Sequence, residues 1–72
     1  MVSFAERLAE LRKTRNIEQK EMAIFLKLNT RTYQHYEYGH VTPNATMLIK
    51  LADFFDVSVD YLLGRSDVRE RR

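Results

Sequence analysis

The sequence predicts an all-α protein, a compact five-helix bundle within one domain. Hydrophobic residues recur three or four positions apart in five segments, which is the spacing of an amphipathic helix. Only two Gly and one Pro occur while 44% of the residues are hydrophobic, a composition typical of compact helical domains. A chain of 72 residues is near the lower limit for folding around a single core, so a large buried active site is not expected.

The first helix is predicted over residues 3–15. Ser3 and Glu6 have the spacing of a capping box, in which each side chain satisfies a free backbone N–H at the helix start. The hydrophobic side of this helix consists of Phe4, Leu8 and Leu11. Its last turn is basic and contains Arg12, Lys13 and Arg15, before Asn16. These cations either oppose the negative end of the helix dipole or lie near phosphate groups, and the sequence leaves both readings open.

The second and third helices are predicted over residues 18–26 and 30–38, separated by a very short turn. Glu18 is a weak cap for the second helix, whereas Asn29 is a strong cap for the third. Because only Lys27 and Leu28 make the turn, the two helices must cross steeply, as in a helix-turn-helix unit.

The third helix has two chemically different faces. Tyr33, Tyr36 and Glu37 share one side, with the spacing of an amphipathic helix. The outward side carries an uninterrupted stripe of hydrogen-bonding side chains at i, i+3, i+4 and i+7, namely Arg31, Gln34, His35 and Tyr38. A helix with such a stripe can read the floor of a DNA groove.

Two further helices complete the bundle. Asn44 caps the fourth helix, Ser58 caps the fifth, and Gly64 ends it. Their inward residues are Leu48, Leu51, Ala52 and Phe55 in the fourth helix and Val59, Leu62 and Leu63 in the fifth. The domain is therefore predicted over residues 1–64, followed by a basic tail, residues 65–72, that is expected to be frayed because it has almost nothing to bury.

Composition excludes several classes of function. The chain has no cysteine, so neither a disulfide framework nor a thiolate metal site is available, and a reducing, cytoplasmic compartment fits. The longest hydrophobic run, Met22–Leu26, is too short for a transmembrane helix or the core of a signal peptide. The net charge of +2 is too small to indicate nucleic acid by itself. No cofactor, metal or small-molecule ligand is expected.

The chain resembles the Cro/phage-repressor type of helix-turn-helix domain, also called the XRE-like family. Four segments follow one another with the order and spacing of that family: ERLAELRKTRNIEQKEMA, TYQHYEYG, TPNATMLIKLADFF and DVSVDYLLG. The resemblance covers about residues 4–64 and implies a lambda-repressor-like DNA-binding bundle with its helix-turn-helix at helices 2 and 3. It also implies sequence-specific binding of double-stranded DNA by a bacterial or phage-encoded, nucleoid-associated transcriptional regulator. A repressor is favoured over an activator, but residues that only contact DNA do not distinguish the two. Residues 30–38 would then lie in the major groove as the recognition helix.

The resemblance further implies roles for individual residues. The base-facing part of the recognition helix is occupied by Thr30, Arg31, Gln34 and His35. The positions where such domains commonly approach the sugar-phosphate backbone are Gln19, Asn29, Tyr38, His40 and Asn44. Arg12 and Glu37 match a family pair that ties helix 1 to the end of helix 3, which makes Glu37 structural.

Several positions depart from the family pattern. Lys27 stands where the turn usually has Gly, at a cost on the order of 1 kcal/mol if the left-handed conformation is kept. Glu18 replaces the usual Ser or Thr cap, and Tyr33 replaces a smaller aliphatic residue. Ile24 and Phe25 stand where polar residues are usual, and they lie off the inward face of helix 2. They therefore either widen the buried side of that helix against a neighbouring helix or form an exposed hydrophobic pair for a partner.

Residue chemistry supports the same function. Arg31 can donate two hydrogen bonds to guanine O6 and N7, and Gln34 can pair with adenine N6 and N7, each worth about 1–3 kcal/mol of discrimination. Thr30 can contact a thymine methyl group, and His35 can donate or accept a hydrogen bond. Gln19 is a candidate phosphate contact because the free N–H groups at a helix start favour anions.

An enzyme is not expected. His35 and His40 are five positions apart with a glycine between them, a spacing that does not place two imidazoles on one helical face for a metal. No nucleophile, base and orienting group fall together in the sequence. Base stacking on tyrosines, as in single-strand binders, is disfavoured because Tyr33 and Tyr36 face the core.

The main alternative is an antitoxin-like or other protein-interaction module of the same fold. The candidate partner surface consists of Ile24, Phe25, Phe54, Val57 and Tyr61. The same residues could instead form a homodimer, mainly through the fifth helix and the turn before it. DNA binding itself favours a dimer, because symmetric dimers reach two half-sites about 34 Å apart.

Overall fold

The computed structural model describes residues 2–70, and the predicted five-helix, all-α fold is confirmed there. The helices are α1 (Phe4–Thr14), α2 (Gln19–Leu26), α3 (Thr30–Glu37), α4 (Ala45–Phe55) and α5 (Val59–Leu62). Within residues 2–70 the structure contains no β-strand. None of the helices in this range is long and hydrophobic enough to cross a bilayer.

Hydrogen-bonding side chains cap the helices where the sequence predicts caps. Ser3 Oγ accepts from the Glu6 N–H at 3.2 Å, and the Glu6 carboxylate accepts from the Ser3 N–H at 3.0 Å, which completes the capping box. The starts of α3, α4 and α5 are capped in a similar way by Asn29, Asn44 and Ser58. At the start of α2, the Glu21 carboxylate accepts from the Glu18 N–H at 2.9 Å, so Glu21 supports the weak cap.

Three helices end at left-handed residues that are not glycine. Asn16, Lys27 and Asp56 follow α1, α2 and α4 with φ angles of 57°, 59° and 55°. A left-handed residue reverses the chain so that the next helix can pack back on the last one. Asn and Asp tolerate this conformation better than most residues, whereas Lys27 adopts it at a cost of about 1–2 kcal/mol.

The core is a hydrophobic cluster to which all five helices contribute. Its buried residues are Leu8, Leu11, Met22, Ala23, Leu26, Tyr33, Tyr36, Leu51, Ala52, Phe55, Val57, Tyr61 and Leu62. Tyr33 and Tyr36 are thus core residues, as the sequence predicts. Leu48, predicted to face inward, is only partly buried against the cluster.

Val57 and Tyr61 are predicted at a partner surface, but this prediction is wrong for both side chains. They are 1% and 8% exposed within this chain, so they belong to its core. The reason lies in the length of α5, because a helix of one turn is held in place only by burying its own hydrophobic residues and those of the turn before it. The guanidinium of Arg7 also covers the Tyr61 ring, 3.7 Å from the ring centroid.

The basic end of α1 stabilises the fold. Arg15 donates to the carbonyl oxygens of Phe54 and Phe55 at 3.0 and 2.9 Å, so it caps the end of α4 from α1. Arg12 donates to the carboxylate of Glu37. The sequence leaves open whether these cations serve the helix end or lie near phosphate groups. The structure shows that Arg12 and Arg15 both make their contacts within the protein.

Residues 65–70 of the basic tail fold back beside α5. The Ser58 N–H donates to the Arg69 carbonyl oxygen at 2.9 Å, and Ser58 Oγ donates to the Val68 carbonyl oxygen at 3.2 Å. Residues 71–72 of the predicted tail lie outside the described residues. The fraying of this tail stays a prediction.

Candidate nucleic-acid interface

A tight reversal between α2 and α3 sets the position of α3. Lys27 in its left-handed conformation lets the Leu28 N–H donate to the Ala23 carbonyl oxygen at 2.9 Å, which closes α2. Asn29 Oδ1 then accepts from the Thr32 N–H at 2.8 Å and starts α3. Because the reversal is this short, it sets how α3 crosses α2.

The residues predicted to read bases lie on the surface of α3. Arg31 is exposed, and Thr30, Gln34 and His35 are half-buried. None of these side chains is a carboxylate, so the surface offers donors, neutral acceptors and one fixed positive charge. This inventory suits the edges of base pairs, which present acceptors, donors and methyl groups in the major groove.

Three polar rings meet at the end of α3. The His40 N–H donates to the His35 carbonyl oxygen at 3.0 Å, and the two imidazole centroids are 5.4 Å apart. The sequence indicates no shared helical face for these imidazoles, but the bend at Gly39, with a φ of 79°, makes them neighbours. Tyr38 is 57% exposed and its ring lies 6.1 Å from that of His40. A predicted base reader and two predicted backbone contacts therefore form one cluster.

Asn29 and Asn44, predicted to approach the DNA backbone, both act as helix caps. Each uses its Oδ1 atom for the cap, accepting from the N–H of Thr32 at 2.8 Å and of Met47 at 2.9 Å respectively. Both asparagines are exposed. The amide NH₂ group of each side chain is a donor, and it is the end that can contact a phosphate oxygen.

Behind this surface, the Glu37 carboxylate accepts hydrogen bonds from three residues. Arg12 Nε donates to Oε2 at 2.5 Å and Arg12 Nη2 donates to Oε1 at 3.0 Å, which forms the ion pair that the resemblance implies. The Tyr33 hydroxyl also donates to Oε2, and Gln19 Nε2 donates to Oε1 at 3.0 Å. The Arg12 and Glu37 side chains are 11% and 3% exposed, so a buried bidentate ion pair joins α1 to α3.

The donors around Glu37 keep its carboxylate ionised. Burial raises the pKa of Glu37, but the hydrogen bonds from Arg12, Tyr33 and Gln19 together outweigh burial, and the pKa lies below its usual value of 4.5. Burial and the hydrogen bond to Glu37 raise the pKa of Tyr33, so its hydroxyl stays protonated at neutral pH. Glu37 is thus a fixed acceptor surrounded by fixed donors.

Gln19 extends this network to the surface of α3. Its Oε1 atom accepts from Gln34 Nε2 at 3.1 Å, while its own Nε2 donates to Glu37. A predicted backbone contact and a predicted base reader are therefore bonded directly to each other. The sequence does not indicate this pairing, because it depends on how the first turn of α2 crosses the middle of α3.

The comparison with known proteins agrees with this geometry. A family described as helix-turn-helix matches residues 8–62, a range that contains α2, α3 and the turn between them. The chain belongs to this family. Within the family it is a Cro/XRE-like helix-turn-helix protein, as its sequence motifs predict.

Several relatives align with most of the length of this helix-turn-helix chain. It is 34% identical over 70 residues to the HTH-type transcriptional regulator ImmR of Bacillus subtilis, covering 97% of this chain and 55% of ImmR. It is 40% identical over 64 residues to the cryptic phage CTXphi transcriptional repressor RstR of Vibrio cholerae, covering 89% of this chain and 57% of RstR.

A solved structure shows the same fold. The crystal structure of a transcriptional regulator from Listeria innocua has a TM-score of 0.82 and 37% identity, covering 86% of this chain and 58% of that one. This helix-turn-helix chain spans a little over half the length of the relatives that it matches.

A hydrophobic patch lies on the helix-turn-helix domain at Ile24, Phe25 and Phe54. Ile24 is 68% exposed and Phe25 is 44% exposed, and the Phe25 and Phe54 rings pack with centroids 4.4 Å apart. Lys50 Nζ lies 5.6 Å from the Phe25 centroid. Of the predicted partner surface, these are the residues that remain accessible.

Three residues that organise the helix-turn-helix domain were not identified as such from the sequence. The Tyr33 hydroxyl supports Glu37, the Arg15 guanidinium caps α4, and Arg7 is 5% exposed beneath the tail. Only one signal pointed to any of them, namely that Tyr33 replaces a smaller aliphatic residue of the family. An added hydroxyl in a core position requires a partner, and Glu37 lies one helical turn away.

Proposed function

We propose that this helix-turn-helix domain binds double-stranded DNA sequence-specifically as a small transcriptional repressor, with α3 in the major groove. ImmR is named as a transcriptional regulator and RstR as a transcriptional repressor, which supports this proposal. The observation that carries it is the polar surface of α3, where Arg31 is exposed beside half-buried Gln34 and His35 on a helix anchored by Glu37.

Each residue of this surface has a proposed role. Arg31 donates to guanine, Gln34 pairs with adenine, Thr30 contacts a thymine methyl group and His35 donates or accepts. The residues proposed to position the DNA backbone are Asn29, Tyr38, His40 and Asn44. Gln19 differs from them, because its amide oxygen and one of its two amide N–H groups already make hydrogen bonds within the chain, which leaves one N–H.

Selection of binding sites from randomised duplex DNA tests the proposal. The wild-type chain is expected to enrich a defined site, and Arg31→Ala is expected to lose most of the preference for that site over random duplex. Lys13→Ala is the matched control, because Lys13 is an exposed cation on α1 outside the proposed interface. Measurements at two salt concentrations separate base reading from charge. Salt-dependent binding without any enriched sequence would refute the proposal.

The working unit is proposed to be a homodimer. One short recognition helix makes few base contacts, and a symmetric dimer doubles them over half-sites about 34 Å apart. The selected site should therefore be an inverted repeat. Sedimentation of the complex should give two chains per site, and one chain on a single half-site would contradict the dimer.

A second candidate function is an antitoxin-like or other protein-interaction module. The accessible patch at Ile24, Phe25 and Phe54 favours it, because hydrophobic residues this exposed commonly mark a contact with another protein. Phe25→Ser should then abolish binding of a protein partner while DNA selection is unchanged. In either case the proposed setting is the cytoplasm of a bacterium, with the chain associated with the nucleoid and without catalytic activity.

A further inference from the structure

The hydrogen bonds from Glu37 to Gln34 run in one direction. The Glu37 carboxylate can only accept, so the end of the Gln19 amide that faces it must be the NH₂ group. The Gln19 oxygen then points the other way and accepts from the NH₂ group of Gln34 at 3.1 Å. The orientations of both amides therefore follow from the charge on one buried carboxylate.

This direction limits what Gln34 can offer to a base. A glutamine amide has two N–H donors and one oxygen acceptor, and Gln34 gives one donor to Gln19. One N–H and the oxygen remain. Adenine presents an acceptor at N7 and a donor at N6, which match this remaining pair, whereas guanine presents acceptors at both N7 and O6. Against guanine, the Gln34 oxygen would face another acceptor.

We infer that Gln19 is a positioning residue that makes Gln34 select adenine over guanine, acting through Gln34 and not through a DNA phosphate. The inference rests on the proposed function, since it assigns one step of base reading on α3. It changes the role that the sequence predicts for Gln19, because a phosphate contact would contribute equally to all DNA sequences.

Tyr33 and Arg12 support this chain of hydrogen bonds from within the protein. Both donate to the same carboxylate as Gln19, and together they hold it in place and ionised. If the carboxylate moved, Gln19 could rotate its amide and the Gln34 orientation would no longer be set. The selectivity of a surface residue is thus connected to the buried ion pair between α1 and α3.

A double-mutant cycle tests the inference. Site selection with Gln34→Ala identifies the base pair at which preference is lost, and adenine is expected there on one strand. The ratio of affinities for adenine and guanine at that base pair is then measured for Gln19→Ala, Gln34→Ala and the double variant. Gln34→Ala should reduce the ratio about tenfold. Gln19→Ala should reduce it several-fold but have no further effect in the Gln34→Ala background.

Two further variants serve as controls for this cycle. Lys20→Ala removes an exposed cation from the same turn of α2, so it should weaken binding to all sequences alike and leave the adenine-to-guanine ratio unchanged. Gln19→Met keeps the length of the side chain without its amide, and it should reproduce Gln19→Ala. If Gln19→Met reproduces Gln19→Ala while Lys20→Ala leaves the ratio unchanged, the effect comes from loss of the amide and not from a loosened helix start.

The possible outcomes are distinct. Uniform weakening by Gln19→Ala with an unchanged ratio would overturn the inference and restore the phosphate contact. A base other than adenine at the Gln34 position, or no position affected by Gln34→Ala, would also overturn it while leaving DNA reading by Arg31 intact. Absence of any enriched site for the wild-type chain would instead refute the proposed function, and the inference with it.

Discussion

Replacing Arg12 by Met leaves the Glu37 carboxylate buried without its charged partner. The Glu37 side chain is 3% exposed, and Tyr33 and Gln19 would be its remaining donors. Breaking a buried ion pair by removing one partner costs about 3–5 kcal/mol, and the two remaining donors place this case near 3 kcal/mol. A chain of 72 residues has a total stability of roughly 4–11 kcal/mol, so the loss is a large share of it.

The double replacement Arg12→Met with Glu37→Leu should cost much less than the sum of the two single ones. It removes both charges together and leaves mainly the buried Tyr33 hydroxyl without a partner, at about 1–3 kcal/mol. The sum of the single losses would be about 6 kcal/mol. Urea unfolding followed by far-ultraviolet circular dichroism measures each free energy of unfolding.

Lys13→Met is the matched control for this cycle. Lys13 is an exposed residue adjacent to Arg12, so its replacement should change stability by less than about 0.5 kcal/mol. If the double variant is as unstable as the sum of the single variants, Arg12 and Glu37 are not coupled. The account of a buried pair joining α1 to α3 would then be wrong.

Three further predictions concern the backbone and pH. Lys27→Gly should raise the free energy of unfolding by about 0.5–1 kcal/mol. The strain removed from the left-handed residue is larger than the entropy that glycine adds to the unfolded chain, and an unchanged urea midpoint would contradict this. Gly64→Ala should destabilise more than Gly39→Ala, since its Cβ would lie 2.1 Å from the Val2 carbonyl oxygen, whereas that of Gly39→Ala meets only a methyl group at 3.8 Å; equal thermal midpoints for the two variants would argue against the close approach. The pKa of Glu37 is lower in the folded chain than in the unfolded chain. The contribution of Glu37 to stability is therefore present above its unfolded pKa of about 4.5 and is lost as pH falls through the folded pKa. Urea titration should show this loss in the wild-type chain but not in Glu37→Gln.

The polar face of α3 shows which features of the site the sequence alone could predict. The spacing of Arg31, Gln34 and His35 predicted a shared surface on a capped helix, and the structure places all of them on the surface. The spacing could not predict that Gln34 is bonded to Gln19, because two helices are needed to bring the residues together. Periodicity assigns a face within one helix but does not assign contacts between helices.

The predicted partner surface is a case in which the sequence assigned some residues wrongly. Ile24 and Phe25 lie outside the inward face of α2, which leaves the sequence open between a wider buried side and an exposed pair. The structure decides between the two, because both residues are exposed. The sequence also assigns Val57 and Tyr61 to this surface, as part of the fifth helix and the turn before it, yet both are buried. A turn and a one-turn helix are too short for periodicity to separate inward from outward residues, so packing against the rest of the bundle decides.

The sequence by itself determined the number of helices, their caps, the tight turn after α2 and the family to which the chain belongs. These are local properties, because spacing, capping and left-handed residues act within a few positions. Only the tertiary structure decided that one carboxylate collects donors from α1, α2 and α3 and passes a fixed orientation to Gln34. Hydrogen-bond direction depends on which groups meet in space, and that is set by helix packing.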